Sequence, residues 1–202
     1  MEIALTWNLV ILSVFIMLFA YNFLLGQNAT IKLILSTYIA VLTADGVAKI
    51  LKQFVFDPSP GVQQIFGEHE LEIFTGIRLV LFLVAIVIFS VKGAFHVAVE
   101  RHDHWALRTV IHAFFSVFSA ALFLATVLIY LSGNSFVEGM GHAKEISIYD
   151  ESLLAQILID YYQIWFSLPA IAFLVTSFLF EKGKKDEKKY GYIKNPRVSY
   201  FS

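Results

Sequence analysis

Three ionisable side chains share one face of an otherwise apolar segment. Asp45, Lys49 and Lys52 are spaced i, i+4 and i+7, so an α-helix places them on the same side. Charged groups inside a membrane are costly, and those that occur there often line an ion or proton path. The alternative is structural, with Asp45 and Lys49 paired near the membrane interface and in contact with water. The spacing therefore predicts either an ion path or an interfacial ion pair.

A second set of residues combines imidazole and carboxylate groups. On a continuous helix His96 and Glu100 share a face, and His102 and His104 follow directly. Imidazole and carboxylate can bind a transition metal when at least three ligands converge with a supporting shell. The alternative is a solvated polar turn, which needs no metal. The sequence makes these four residues candidate ligands, and we predict no cofactor.

A single histidine, His112, lies one turn into a later apolar segment. A histidine in a helix near the membrane interface is either a hydrogen-bonded structural residue or a proton relay. Its position alone fits both roles.

The C-terminal residues 181–202 form a basic tail that we predict to be flexible and cytosolic. Basic side chains just beyond a membrane span attract anionic lipid, with about 1 kcal/mol for each residue near the surface. The alternative is a topology anchor without a specific partner. The candidate lipid-contacting residues are Lys184, Lys185, Lys188 and Lys189.

Long apolar segments must position all of these residues. Of the 202 residues 58% are hydrophobic and 15% are charged, whereas soluble domains carry about 25% charged residues. A membrane-spanning helix needs about 20 mostly apolar residues. The sequence therefore predicts an all-α, polytopic membrane domain over residues 1–180. The five predicted spans are residues 7–26, 30–51, 75–97, 109–131 and 161–180.

The second of these segments, residues 30–51, has an alternative interpretation. It contains Lys32, Asp45 and Lys49, so it also fits an amphipathic helix that lies in the membrane interface. Lys and Arg residues in short loops concentrate on the cytosolic side of a membrane. If all five segments cross and the N-terminus is outside, 11 of the 15 Lys and Arg residues are cytosolic. If the second segment does not cross, the N-terminus moves inside.

Apolar residues at near-helical spacing predict a surface helix over residues 147–160, which can run directly into the fifth span. Within that span Pro169 removes a backbone donor and clashes with the carbonyl group four residues earlier. We therefore expect the fifth span to bend near Pro169.

Several kinds of chemistry are excluded or disfavoured. The absence of cysteine excludes disulfides, thiolate metal sites and cysteine nucleophiles. The sequence contains no glycine-rich phosphate loop, no Gly-x-Ser-x-Gly nucleophile motif and no His-Glu-x-x-His zinc motif. We therefore expect no enzymatic activity, with an intramembrane enzyme as a third hypothesis.

The arrangement of segments resembles the colicin V production protein family of bacterial inner-membrane proteins. The first span is followed closely by a second helix, whose start at residues 26–32 reads GQNATIK. A third span over 73–99, a polar stretch, a fourth span over 106–131 and a short helix ending near a proline, 152–169, complete the resemblance. It covers residues 7–169. It implies an inner-membrane protein that supports toxin export or envelope homeostasis.

Two functions follow as hypotheses. The first is a non-enzymatic accessory or scaffold protein of the cell membrane, in contact with lipid, with itself or with other membrane proteins. The alternative is a channel or carrier for ions or small solutes, which would be oligomeric because five helices enclose little volume. Neither hypothesis involves nucleic acid.

Overall fold

The computed structural model describes residues 6–56, 70–92, 105–136 and 147–175, and these residues form helices without any β-strand. A single π-helical turn, Lys52–Phe56, extends the second helix. The seven α-helices of the described residues are α1 (Trp7–Leu25), α2 (Gln27–Leu51), α3 (Glu70–Lys92), α4 (Trp105–Leu131), α5 (Ser147–Glu151), α6 (Leu153–Asp160) and α7 (Tyr162–Val175).

Four of these helices, α1 to α4, are long and apolar enough to cross a membrane. The pair α6 and α7 passes the same test as one segment that is bent by 58°. Among the described residues there are thus four candidate spans, or five if the bent pair is one span. The predicted all-α, polytopic membrane fold is confirmed.

The second helix, for which an interfacial position was the alternative, lies at the centre of the bundle. Its apolar stretch Gln27–Phe54 is 28 residues long and half buried, compared with 67% of the span in α4 and 11% of the span in α1, so α2 and α4 together form the interior of the bundle. Ala40, Ala44 and Ala48 recur every four residues on α2, and none of them has any exposed surface. Small residues at this spacing let two helix backbones approach closely. This stripe explains why α2 packs most extensively against α3.

The helix directions follow from contacts near the two ends of the bundle. Ile11 packs near Leu124, and the carbonyl oxygen of Asn22 lies 3.4 Å from Nε2 of His112, so α1 and α4 are antiparallel. The single residue Gly26, with φ +88°, joins α1 to α2. Glycine adopts such a positive φ without the steric cost that a Cβ imposes.

Contacts of α4 with α2 define the other end of the bundle. Ile31 and Ile34 of α2 pack in one cluster with Phe115 of α4, and the Tyr130 hydroxyl near the end of α4 donates to the carbonyl oxygen of Val41 at 3.3 Å, so α2 and α4 run parallel. We call the two ends the Gly26 end, where α1 meets α2, and the Asp45 end, where α2 and α4 terminate. Successive long helices alternate in direction between these ends, as a multi-pass protein requires.

The segment after α4 differs from the predicted surface helix. The expected helix over 147–160 is interrupted at Ser152, whose extended backbone begins α6 and whose Oγ accepts from the amide of Ala155 at 3.2 Å. Asn8 of α1 adds a second cap, because its Oδ1 accepts from the Ser152 hydroxyl at 2.8 Å and from the Leu154 amide at 3.2 Å. The short helices therefore belong to the bundle at the Asp45 end.

The surface helix does not run directly into the fifth span, because the chain bends at Tyr161, while the expected bend near Pro169 stays a prediction. Pro169 is buried within α7, and the 58° change of direction separates α6 from α7. The two helices pack against different neighbours: Leu158 of α6 contacts α1 and α4, whereas Phe173 of α7 contacts α2 and α4. Trp165 spans the break, because its indole N–H donates to the carbonyl oxygen of Ile157 at 3.3 Å.

Candidate functional site

A buried polar cluster lies at the Asp45 end, where three long helices and the turn after α4 meet. We call it the Asp45 cluster. Asp45 is 2% exposed and Arg78 is 6% exposed, so both charged groups are withdrawn from the surface of the bundle. Its members are Asp45 on α2, Arg78 on α3, Tyr130 on α4, and Ser135 and Phe136 after α4.

The carboxylate of Asp45 is held from several directions. The backbone amide of Phe136 donates to its Oδ2 at 3.0 Å. The side chain of Ser135 hydrogen-bonds to the same carboxyl group, the guanidinium of Arg78 attracts it electrostatically, and the Tyr130 hydroxyl, which donates to Val41, lies beside it. Burying a charge is costly unless a partner of opposite charge and hydrogen bonds compensate. Asp45 has a hydrogen bond to its Oδ2 and the opposite charge of Arg78, whereas its Oδ1 has no hydrogen-bond partner among the described residues.

A local turn explains how the chain brings Phe136 to Asp45. The amide of Gly133 donates to the carbonyl oxygen of Tyr130 at 2.9 Å, and the amide of Asn134 donates to that of Ile129 at 3.2 Å. These two bonds, with Gly133 at φ +74°, form the Schellman motif that ends many helices. The motif turns the chain back, so that Ser135 and Phe136 lie over the end of α2.

Lys49, the expected partner of Asp45, is exposed and forms no ion pair with it among the described residues. The buried face of α2 runs through Ala44, Asp45 and Ala48, and Lys49 lies at the exposed edge of that face. The positive charge that acts on the Asp45 carboxylate is that of Arg78 on α3. Thus the predicted pairing of Asp45 with Lys49 is wrong, although Asp45 does have compensating partners.

Lys52, the third residue of the predicted set, is half-buried and lies away from the carboxylate. Its Nζ lies 5.6 Å from the centre of the Phe74 ring, which is within the range of a cation–π contact. Its contact therefore joins the end of α2 to α3. The three residues of the spacing pattern thus have three different surroundings.

His112 lies at the Gly26 end and belongs to a separate group of residues. Its ring stacks on Phe23 with a centroid distance of 4.9 Å and an angle of 8° between the planes. Its Nε2 lies 3.4 Å from the carbonyl oxygen of Asn22, which also accepts from the Thr30 hydroxyl at 2.9 Å. His112 thus joins α4 to the turn between α1 and α2, and the structure does not bring it to Asp45.

The other candidates cannot be placed. The four possible metal ligands, His96, Glu100, His102 and His104, lie outside the described residues, and so does the basic tail with Lys184, Lys185, Lys188 and Lys189. In the part of the chain that the structure describes, no three His, Asp or Glu side chains are grouped so that they could hold a metal.

The sequence did not predict the other members of the Asp45 cluster. Arg78 lies near one end of its apolar segment, a position that by itself favours the membrane interface. Arg78 is nevertheless the one arginine in the third predicted span, and Asp45 is the one carboxylate in the second. Opposite charges in consecutive spans could therefore have indicated that the two residues lie close together. Ser135 and Phe136 gave no such signal, since their role depends on the turn at Gly133.

The cluster can perform two kinds of task. A carboxylate and a guanidinium of opposite charge can fasten the turn after α4 to α2 and α3 without leaving a net charge in the bundle. The same carboxylate can in principle accept and release a proton. No protein-family model, curated protein or solved structure matches this chain.

Proposed function

We propose that the protein is a non-enzymatic accessory or scaffold protein of a prokaryotic cell membrane, with its N-terminus outside and its tail in the cytosol. One observation carries this proposal. Asp45 and Arg78, the two buried charged side chains of the described spans, lie where α2, α3 and the turn after α4 meet, and Asp45 binds that turn through the amide of Phe136. The outward-facing side chains of the described long helices are mainly apolar, which suits contact with lipid or with other membrane helices.

The charges of the loops and the tail support the proposed orientation. With all five segments crossing and the N-terminus outside, 11 of the 15 Lys and Arg residues are cytosolic, and the Gly26 end then faces the cytosol. The described helices themselves carry basic residues at both ends, with Lys32 and Lys92 toward the Gly26 end and Lys49, Lys52 and Arg78 toward the Asp45 end. The resemblance to colicin V production proteins further suggests a role in toxin export or envelope homeostasis.

The second candidate is a channel or carrier for ions or small solutes. It is favoured by the burial of Asp45 and Arg78, because ionisable residues inside spans are uncommon and often functional. In a carrier the carboxylate would exchange a proton or cation during each transport cycle. In a scaffold its charge would have to remain paired with that of Arg78.

Ion flux into liposomes separates the two candidates. The purified protein is reconstituted into vesicles that contain a pH-sensitive dye, and a proton or potassium gradient is imposed. As a scaffold, the wild type should give the same flux as protein-free vesicles. A wild-type flux that disappears in a stably folded Asp45→Asn/Arg78→Gln variant would instead establish the carrier. A flux that persists in that variant would also contradict the scaffold and place the path elsewhere.

A further inference from the structure

A groove of about 240 Å³ opens between α1 and α3 at the Gly26 end. The two helices pack against α2 and α4 but stay apart from each other along the groove. Leu33 of α2 and Phe123 of α4 form its floor, and the exposed side chains of Val87 and Val91 lie at its edge. The groove therefore opens sideways, toward the surface of the bundle that a bilayer would cover.

The polarity of the groove changes along its length. Tyr21, Asn22 and Ser90 lie at its Gly26 end, within one turn or so of where α1 and α3 terminate. Asn22 is 1% exposed, and its Oδ1 has no hydrogen-bond partner among the described residues.

Deeper in the bundle the lining is purely apolar. It consists of Leu18, Leu33, Ile86, Val87 and Phe123. A molecule that fills the whole groove must have a polar end near the membrane interface and a hydrocarbon end toward the middle. Phospholipids have this polarity.

Charge indicates which phospholipid fits. Lys92, the last residue of α3, is exposed and follows the groove residue Val91 directly. Lys32 lies at the same end of the bundle, whereas the carboxylates of the described helices all lie toward the Asp45 end. The surroundings of the polar end of the groove are therefore positive, which complements an anionic phosphate group.

We infer that this groove binds an anionic phospholipid, with one acyl chain along Val87 and Phe123 and the phosphate near Lys92. Tyr21, Asn22 and Ser90 lie at the level of the ester and glycerol groups and can hydrogen-bond to them. The bound lipid fills the space between α1 and α3 and joins two spans that otherwise stay apart. The site is independent of the proposed scaffold function.

Thermal unfolding in detergent tests the site. Phosphatidylglycerol and phosphatidylcholine with identical chains are added separately, and native mass spectrometry counts the lipids that remain bound. A ligand that binds the folded protein raises Tm according to its occupancy. With phosphatidylglycerol at saturation we expect the Tm of the wild type to rise by about 5 °C and one lipid to remain bound. With phosphatidylcholine the rise in Tm should be clearly smaller.

Two matched pairs of variants locate the binding. Val87→Phe fills the groove and should abolish both the Tm gain and the retained lipid. Val84→Phe, on an exposed part of α3 outside the groove, should retain both. Lys92→Gln should weaken phosphatidylglycerol binding about fivefold, equivalent to about 1 kcal/mol, whereas Lys49→Gln at the other end should not.

Each variant is compared with its own Tm in detergent alone, so a change in folding stability is measured separately from lipid binding. Three results would each overturn the inference. Val84→Phe and Val87→Phe could affect lipid binding equally, or Val87→Phe could keep the rise in Tm with lipid. The third is an equal rise in Tm from the two lipids.

Discussion

The backbone amide of Phe136 donates to Oδ2 of Asp45 at 3.0 Å, although 91 residues separate the two in the chain. Phe136 also packs against Phe166 of α7, with a centroid distance of 4.4 Å. One short turn therefore connects the central helix α2 to both α4 and the last described helix. Loss of the Asp45 carboxylate should thus disturb more than its own helix.

Asp45→Leu should destabilise the protein more than Asp45→Asn. The asparagine keeps an oxygen that can accept from Phe136 but loses the charge opposite Arg78, whereas leucine loses both. We expect the unfolding free energy to fall by about 1–3 kcal/mol for Asn and by about 3–5 kcal/mol for Leu. The relative stability of the two variants is measured by thermal unfolding in detergent and by the amount of folded protein in membranes. Equal losses for the two variants would show that the hydrogen bond to Phe136 contributes little.

Cysteine labelling tests the orientation of the bundle. Glu151 at the Asp45 end and Asn28 at the Gly26 end are both exposed, whereas Ser135 is 3% exposed and unsuitable for labelling. With an impermeant thiol reagent on intact cells, Glu151→Cys should react and Asn28→Cys should react only after the membrane is opened. The chain has no cysteine of its own, so the background is low. Reaction in the reverse pattern would mean that the N-terminus is cytosolic.

Tyr149 on α5 should ionise at unusually high pH. Its hydroxyl donates to both carboxylate oxygens of Asp160 at 3.0 Å, and this hydrogen bond raises the pKa of Tyr149 above its ordinary value. Ionisation would remove the donated proton and place two negative charges together. The stabilising contact is therefore present below the unfolded-state pKa of about 10 and is lost as the pH rises through the folded-state pKa.

Ultraviolet titration measures this shift. The chain has nine tyrosines, so the difference between wild type and Tyr149→Phe isolates the one hydroxyl. Asp160→Asn should return its titration toward the ordinary pKa of tyrosine. An unchanged titration in Asp160→Asn would show that the contact with Asp160 does not form.

Hydropathy alone predicted the long helices, because the length and continuity of an apolar segment depend on the membrane and little on tertiary contacts. The break at Tyr161 was not predicted. Pro169 was the local signal for a bend, whereas α6 and α7 diverge at Tyr161, where α6 packs against α1 and α7 packs against α2.

The partner of Asp45 was also mispredicted, because the spacing rule considers only residues that are near in the sequence. The i, i+4 spacing favoured a pair between Asp45 and Lys49, but which residues of α2 are buried depends on where α3 and α4 lie. The attraction between Asp45 and Arg78 therefore depends on tertiary structure. Opposite charges in neighbouring spans indicated it only weakly in the sequence.

The central claim is that Asp45 and Arg78 compensate each other within the bundle. A double-mutant cycle tests it most directly, with the unfolding free energies of wild type, Asp45→Asn, Arg78→Gln and the double variant measured in the same detergent. Each single variant leaves one buried charge without its counterpart, whereas the double variant removes both charges. We predict that the double variant is more stable than the sum of the single losses implies, by about 1 kcal/mol or more. Additive losses would show that the two charges do not interact and would contradict the account.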